Sequence, residues 1–220
     1  MNDHPKPSRL TPRAAQIVSA ARALLEEEGR DALTMRALAD RLDMRAPSLY
    51  KHFPDKAAVE AALIEQGLAE VGAALYEALE NAAATTTGAS DAGGRSGETG
   101  ADGADGAGAI GALLRAYRAA ALARPNLYRL ATEGRLPRER LAPGLEEWSG
   151  TPFFLAAGEP YLAQALWSFA HGMVILELDG RYPEGSDLEL TWEEGARAFA
   201  ARLGLPRDPA RLSPPRDPAR

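Results

Sequence analysis

The 220-residue sequence contains no cysteine, three histidines and few aromatic residues (6%). The absence of cysteine excludes disulfides, thiolate metal sites and a cysteine nucleophile, so the fold has to depend on packing. No apolar run approaches the roughly 20 residues that a membrane span requires, and the opening MNDHPKPSRL lacks the apolar core of a signal peptide. From these absences we expect a soluble, cytoplasmic protein with no membrane partner.

Patterns that carry catalytic chemistry are also scarce. The three histidines, His4, His52 and His171, are scattered along the chain, and the motifs HExxH, GxSxG and GxxxxGK[ST] are absent. The sequence therefore contains few residues that could form a metal site or a nucleophile paired with a base, although folding could still bring two carboxylates together. We expect no enzyme activity, no catalytic residue, no metal and no cofactor.

Charge is distributed unevenly along the chain. The 25 Lys and Arg against 31 Asp and Glu give a net charge of −6, yet residues 1–60 hold ten basic and nine acidic residues (+1), and the remainder holds 15 against 22 (−7). Between Thr34 and Lys56, five basic residues face three acidic ones, a local balance of +2. A polyanion is therefore expected to meet this end of the protein first, whereas the acidic run 26–28 is expected to be a solvated face.

Helical periodicity dominates the chain and no strand-like alternation competes with it, which predicts an all-α fold. Thr11 is expected to cap the first helix, Thr34 a short second helix, and Asp55 a long fourth helix that continues to about residue 84. Further helices are predicted over 110–123, 125–133, 143–157, 160–181 and 191–203, the last of which begins with the capping-box pattern TWEE.

Three segments offer little apolar surface for a core. Residues 1–10 are predicted to be a flexible N-terminal arm, residues 85–108 a disordered insert, and residues 204–220 a disordered tail in which PRDPAR occurs twice. Lys6, Arg9 and Arg13 could follow DNA into the minor groove, although a disordered arm is the simpler interpretation.

The segment RAPSLYKHFPDKAAV, residues 45–59, keeps few side chains for a core. On a helical wheel Ala46, Leu49 and Phe53 share one face, and polar or basic side chains occupy most of the rest. A helix of this kind, joined by a tight turn to a preceding short helix, forms a helix-turn-helix, whose second helix lies in the major groove of DNA. Lys56 follows in the first turn of the next helix, where free amides also favour a phosphate.

These residues resemble the N-terminal domain of the TetR family of bacterial transcriptional regulators. The similarity runs from the first helix through GRDALTMRALADRLDMRAPSLYKHFPDKAAVEAAL, residues 29–63. It implies a DNA-binding domain over residues 11–56, with DNA contacts from Arg36, Arg45, Pro47, Ser48, Tyr50, Lys51, His52 and Lys56. The family usually has glycine in the turn, where this chain has Asp43; aspartate tolerates a left-handed backbone better than most residues.

The second half is similar to the C-terminal domains of one TetR group. LWSFAHGMVILELDGRY, residues 166–182, matches their Trp-x-x-x-His-Gly segment, which implies a helical effector-binding and dimerisation domain over residues 57–203. Apolar stripes on the last two helices predict a dimer interface containing Leu166, Phe169, Met173, Trp192 and Phe199. Aromatic and imidazole side chains that could line an effector pocket are Tyr117, Tyr128, Trp148, Phe154, Trp167 and His171, although such residues are more often plain core.

The resemblance implies a homodimeric regulator, most simply a repressor that binds a palindromic, double-stranded DNA operator and is released by an unidentified small-molecule effector. An effector bound in the C-terminal domain would shift the fourth helix and change the separation of the two recognition helices. Two alternatives stay open: an activator on the same fold, and an architectural DNA-binding protein without an effector. An operator binder should keep a margin of roughly 10³ or more over random DNA.

Overall fold

The computed structural model describes residues 4–91 and 101–203, with side chains over 4–85 and 108–203. Its helices are α1 (Pro12–Glu28), α2 (Met35–Arg41), α3 (Ala46–Tyr50), α4 (Lys56–Asp91), α5 (Ala101–Ala123), α6 (Pro125–Thr132), α7 (Leu145–Ala157), α8 (Pro160–Leu178) and α9 (Leu188–Leu203). A 3₁₀ turn, Arg138–Arg140, lies between α6 and α7. The described residues contain no strand, which confirms the all-α prediction.

Helices α1 and α2 begin at the capping residues that the sequence predicts. The side chains of Thr11 and Thr34 accept hydrogen bonds from the amides of Ala14 and Ala37, at 3.2 and 3.0 Å. These amides lie in the first turn of a helix and have no partner within it, so a capping oxygen stabilises the start.

The start of α9 differs from the prediction. The helix begins at Leu188, because Asp187 accepts a hydrogen bond from the amide of Leu190 at 3.0 Å and so acts as the cap. Thr191 lies inside the helix, and its hydroxyl donates back to the carbonyl of Asp187. The capping-box prediction for TWEE was therefore wrong by one helical turn.

The helices around the predicted insert, 85–108, are longer than expected. α4 continues to Asp91 and α5 begins at Ala101. Extending a helix that already exists requires no new nucleus, which favours helix on both flanks. Residues 92–100 of the predicted insert and the predicted tail, 204–220, lie outside the described residues.

The chain divides into two compact units. The first comprises Met1–Gly72 and Ala120–Ser149, and the second comprises Ala73–Ala119 and Gly150–Arg220. The first unit thus combines α1–α3 and the start of α4 with α6 and the start of α7. The predicted DNA-binding domain ended at residue 56 and included neither α6 nor α7.

The core of the first unit joins the three N-terminal helices to α4 and α6. Its fully or nearly buried members include Ile17, Val18, Leu25, Leu38, Leu49, Val59, Leu63, Leu127 and Leu130. The carboxylate of Glu26 on α1 also accepts hydrogen bonds from the amides of Asn126 and Leu127, at 3.3 and 2.8 Å. Because these amides belong to the first turn of α6, Glu26 caps α6 from a neighbouring helix.

A partly buried ion cluster joins three helices of the second unit. The guanidinium of Arg118 on α5 contacts Glu177 of α8 at 2.8 Å and also binds Glu189 of α9. α8 and α9 approach each other closely, because a Cβ added at Gly195 would overlap the ring of Phe169. Glycine at this position therefore lets the aromatic ring pack against the α9 backbone.

The N-terminal arm packs on the first unit from His4 onward, in contrast to the predicted flexible segment. Its Ser8 donates from the backbone amide and the hydroxyl to the carboxylate of Glu65, at 2.7 and 2.9 Å. His4 stacks on Trp148 with ring centroids 5.0 Å apart. The indole in turn lies against α4 at Gly72, where a Cβ would come within 2.5 Å of Trp148 Cζ3.

Glu65 on α4 joins the arm to the α6–α7 loop. The residue is 3% exposed, and its carboxylate also accepts a hydrogen bond from the amide of Ala142. A buried carboxylate is costly unless donors replace its water, and here three donors from two separate segments do so. The arm and the loop are therefore both held on α4 by one side chain.

Replacing Glu65 with alanine should destabilise the first unit, because the amides of Ser8 and Ala142 would lose their acceptor. We expect the free energy of unfolding to fall by about 2 kcal/mol, measured by urea denaturation followed by circular dichroism. Glu77→Ala, an exposed glutamate on the same helix, is the matched control and should change it by less than about 0.5 kcal/mol. Equal effects of the two substitutions would contradict this role of Glu65.

Candidate nucleic-acid interface

α2 and α3 are joined by the tight turn of a helix-turn-helix. The amide of Met44 donates to the carbonyl of Ala39 at 2.8 Å, which closes the turn. Asp43 has φ of 48°, so the backbone is left-handed at the position where glycine is usual. Aspartate keeps the turn that the resemblance implies.

Two apolar side chains anchor the recognition segment. Leu49 and Phe53 are 0% and 6% exposed and belong to the core of the first unit. Ala46, which the helical wheel placed beside them, is exposed, because it is the first residue of α3 and has little helix around it. The segment is thus anchored by two residues, as the sequence indicated.

The predicted DNA-contact residues lie on the solvent side of these anchors. Arg36, Arg45, Pro47, Tyr50, Lys51 and His52 are exposed, and Ser48 and Lys56 are half-buried. The side chain of Arg36 is 94% exposed, and the ring of Tyr50, although large and mainly apolar, is 49% exposed. An arrangement of exposed polar and basic side chains on a fixed backbone suits phosphate and base-edge contacts.

The half-buried Lys56 has a partner within the chain. Its ammonium donates to the carbonyl of Arg30 at 3.0 Å and lies 3.7 Å from the carboxylate of Glu60. An ammonium has three donors, so this arrangement fixes its direction and leaves capacity for a phosphate oxygen.

Asp55, which precedes α4, accepts a hydrogen bond from the amide of Ala58 at 2.7 Å, as predicted for a cap. It is also paired with Arg140 of the 3₁₀ turn, whose Nη1 lies 3.1 Å from Asp55 Oδ1. The hydrogen bond from Ala58, together with that from Arg140, lowers the pKa of Asp55. No local sequence pattern points to this pair, because its members lie 85 residues apart.

The predicted dimer residues are partly used inside the second unit. Leu166, Met173 and Trp192 are 0%, 7% and 5% exposed, so they have almost no surface left for a partner. Phe169 and Phe199 are half-buried and pack on each other with ring centroids 5.5 Å apart. The structure thus corrects the interface prediction: the stripe on α8 that contains Leu166 and Met173 faces inward.

The predicted effector-pocket residues are divided between the units. Tyr128 and Trp148 belong to the first unit, and the other four belong to the second: Tyr117, Phe154, Trp167 and His171. The six therefore do not form one site within either unit.

Within the second unit, the four aromatic candidates have different surroundings. Tyr117 is buried and packs edge-on against Phe153, with ring centroids 5.4 Å apart. Trp167, which is 45% exposed, stacks on the half-buried His171 with ring centroids 5.7 Å apart. Burial lowers the pKa of His171.

Comparison with protein families gives two matches along this chain. Residues 17–72 match bacterial regulatory proteins of the tetR family, and residues 110–199 match the tetracyclin repressor-like C-terminal domain. The chain belongs to the TetR family. Its α2–α3 pair is therefore a TetR-type helix-turn-helix, within the DNA-binding domain that the sequence indicated.

Two curated TetR relatives each match about a quarter of this chain. The class A tetracycline repressor of Escherichia coli is 50% identical over 54 residues, 24% of this chain and 25% of the repressor. The class G repressor of Vibrio anguillarum is 46% identical over 54 residues, 24% of this chain and 26% of that protein. The chain thus matches about a quarter of the length of these relatives.

Solved structures share the fold over nearly the whole chain. A Rhodococcus sp. RHA1 protein of unknown function has a TM-score of 0.67 at 20% identity, covering 90% of this chain and 99% of that one. A TetR variant from Acinetobacter baumannii AYE in complex with minocycline has a TM-score of 0.55 at 23% identity, covering 89% and 97%. At these identities the similarity shows the fold alone.

Among residues 4–91 and 101–203, none of the helices combines the length and the apolar character that a membrane span needs. Within the same residues, no three His, Cys, Asp or Glu side chains are grouped so that they could hold a metal ion.

Tyr50→Ala should weaken DNA binding by about tenfold or more, because an exposed recognition-helix side chain would be lost. The fold should be unaffected, since the ring is 49% exposed. Affinity is measured by fluorescence anisotropy on a duplex recovered by selection, and folding is checked by thermal denaturation. Ser19→Ala, an exposed substitution on α1, is the control and should bind like wild type. A folded Tyr50 variant that binds at full strength would contradict the recognition-helix assignment.

Proposed function

We propose that this protein is a cytoplasmic, non-enzymatic transcriptional repressor that binds a palindromic operator as a homodimer and is released by a small-molecule effector. The observation that carries the proposal is the recognition segment, in which Leu49 and Phe53 are buried while Tyr50, Lys51 and His52 are exposed. Polar side chains held rigidly at a surface can read base edges and bind phosphates.

Repression, rather than activation, is proposed because of the curated relatives. Both curated relatives are tetracycline repressors. Ligand-responsive repression is typical of the family. An activator on the same fold is the alternative, and a reporter gene under the recovered operator distinguishes the two by the direction of the change.

The effector is proposed to bind in the second unit, which contains most of the match to the tetracyclin repressor-like domain. The buried Tyr117 and Phe153 pack on each other there, and the half-buried His171 is a polar side chain of the same unit. An apolar site with a few polar groups suits a small organic molecule. The fold neighbour that binds minocycline supports this class of ligand.

The dimer is proposed to form through the outward face of α8. This face combines exposed apolar residues with small ones at helical spacing: Tyr161, Ala165, Ser168, Gly172 and Leu176. Apart from the adjacent backbone of α8 itself, no heavy atom lies within 4 Å of the position that a Cβ would take at Gly172. Small side chains allow a second α8 to come close, and a symmetric contact is the usual form of a homodimer.

The decisive experiment is selection of bound fragments from a random double-stranded DNA pool by the purified protein, followed by sequencing. Enrichment of one inverted repeat, with roughly 10³-fold preference over random DNA, would support a dimeric operator binder. Binding without enrichment would instead favour the architectural alternative, in which affinity comes mainly from phosphate contacts.

Gly172→Arg should convert the dimer into monomers, because the added side chain fits the isolated chain but would block a partner helix. Gly150→Arg is the matched control: this glycine lies on α7, and it too has nothing within 4 Å of a Cβ. Oligomeric state is measured by sedimentation velocity. We expect Gly150→Arg to remain dimeric, and a dimeric Gly172→Arg protein would exclude this face as the interface.

A further inference from the structure

The recognition segment is followed directly by a negative charge. After Phe53 and Pro54, the Asp55 carboxylate accepts the hydrogen bond from the amide of Ala58 and so caps the start of α4. The next residue is Lys56, a proposed phosphate contact. A carboxylate one residue away would repel the phosphate backbone of DNA unless a cation compensated its charge.

Arg140 supplies that cation from outside the helix-turn-helix. Its Nη1 lies 3.1 and 3.3 Å from the two carboxylate oxygens of Asp55. The pair is not deeply buried, since the side chains of Arg140 and Asp55 are 42% and 48% exposed. An ion pair this exposed contributes little to folding stability, so its effect on a bound polyanion can be measured separately.

The loop that carries Arg140 is fixed on the same unit. Leu136 and Leu141 pack against the core that includes Leu49 and Phe53. The amide of Ala142 donates to the buried carboxylate of Glu65. Arg140 lies between these attachments, so its guanidinium is held near Asp55 by the backbone as well as by the ion pair.

Arg140 increases the net positive charge of the proposed DNA-binding surface. Five basic and three acidic residues between Thr34 and Lys56 give +2, and including Arg140 gives +3. We infer that Arg140 is a positioning residue for DNA binding, which acts by neutralising Asp55 beside the recognition segment and so extends the DNA-binding surface beyond the helix-turn-helix. This inference rests on the proposed DNA-binding function.

Arg140→Gln tests the inference, with Arg138→Gln as the matched control. Arg138 is in the same 3₁₀ turn and is also exposed, but it pairs with Glu146 at 2.6 Å. The probes are the recovered inverted-repeat duplex and a duplex of unrelated sequence, each of about 30 base pairs, long enough for two half-sites. Thermal denaturation checks that both variants fold.

Arg140→Gln should weaken binding to both duplexes by about five- to tenfold at low salt, and the loss should shrink as salt is raised. Arg138→Gln should stay within about twofold of wild type, since its guanidinium pairs with Glu146. Equal affinities of the two variants would overturn the inference. Wild-type protein that binds neither duplex would overturn the proposed function before any variant is compared.

A second substitution separates neutralisation of Asp55 from a direct phosphate contact by Arg140. Asparagine can still cap α4 but carries no charge, so Asp55→Asn should restore near wild-type affinity to Arg140→Gln. Asp55→Asn alone should bind at least as tightly as wild type. If the double variant stays as weak as Arg140→Gln, the guanidinium acts on DNA directly and the neutralisation mechanism is overturned.

Discussion

Burial of the Glu65 carboxylate is the constraint on which the arrangement of the first unit depends. A carboxylate removed from water is tolerated only where hydrogen-bond donors replace the water, and Glu65 is 3% exposed. The donors come from Ser8 and Ala142, which are distant from Glu65 in sequence. The N-terminal arm and the α6–α7 loop must therefore lie on α4, and the loop brings Arg140 to Asp55.

A second carboxylate fixes α6 by the same physical rule. The first amides of α6 have no partner within the helix, and Glu26 of α1 accepts hydrogen bonds from two of them. Nearby, Glu70 of α4 binds Arg22 and lies 3.6 Å from Arg124 at the start of α6. Acidic side chains are usually expected on a solvated surface. Here Glu26 and Glu70 instead join α1, α4 and α6 within one unit.

Local signals predicted the helix-turn-helix well because its determinants are close in sequence. Thr11, Thr34 and Asp55 cap the helices they were expected to cap, and the buried Leu49 and Phe53 follow from helical spacing. The α9 cap was missed because a Thr-x-x-Glu pattern competes with an aspartate one turn earlier, and spacing alone does not rank them. Long-range partners such as Arg140 and Glu65 have no local signal, since folding alone brings their segments together.

The burial of three predicted interface residues within their own unit has a related explanation. Periodicity shows that one face of α8 avoids water but does not show which neighbour covers it, and Leu166 and Met173 are covered by their own unit. What remains for a partner is the opposite kind of surface, with small residues such as Ser168 and Gly172 between exposed apolar ones. A stripe of large apolar residues is easily recognised in a sequence. Two helices approach each other closely, however, only where the side chains between them are small. The proposed α8 interface therefore depends on gaps in side-chain volume on an exposed helix face.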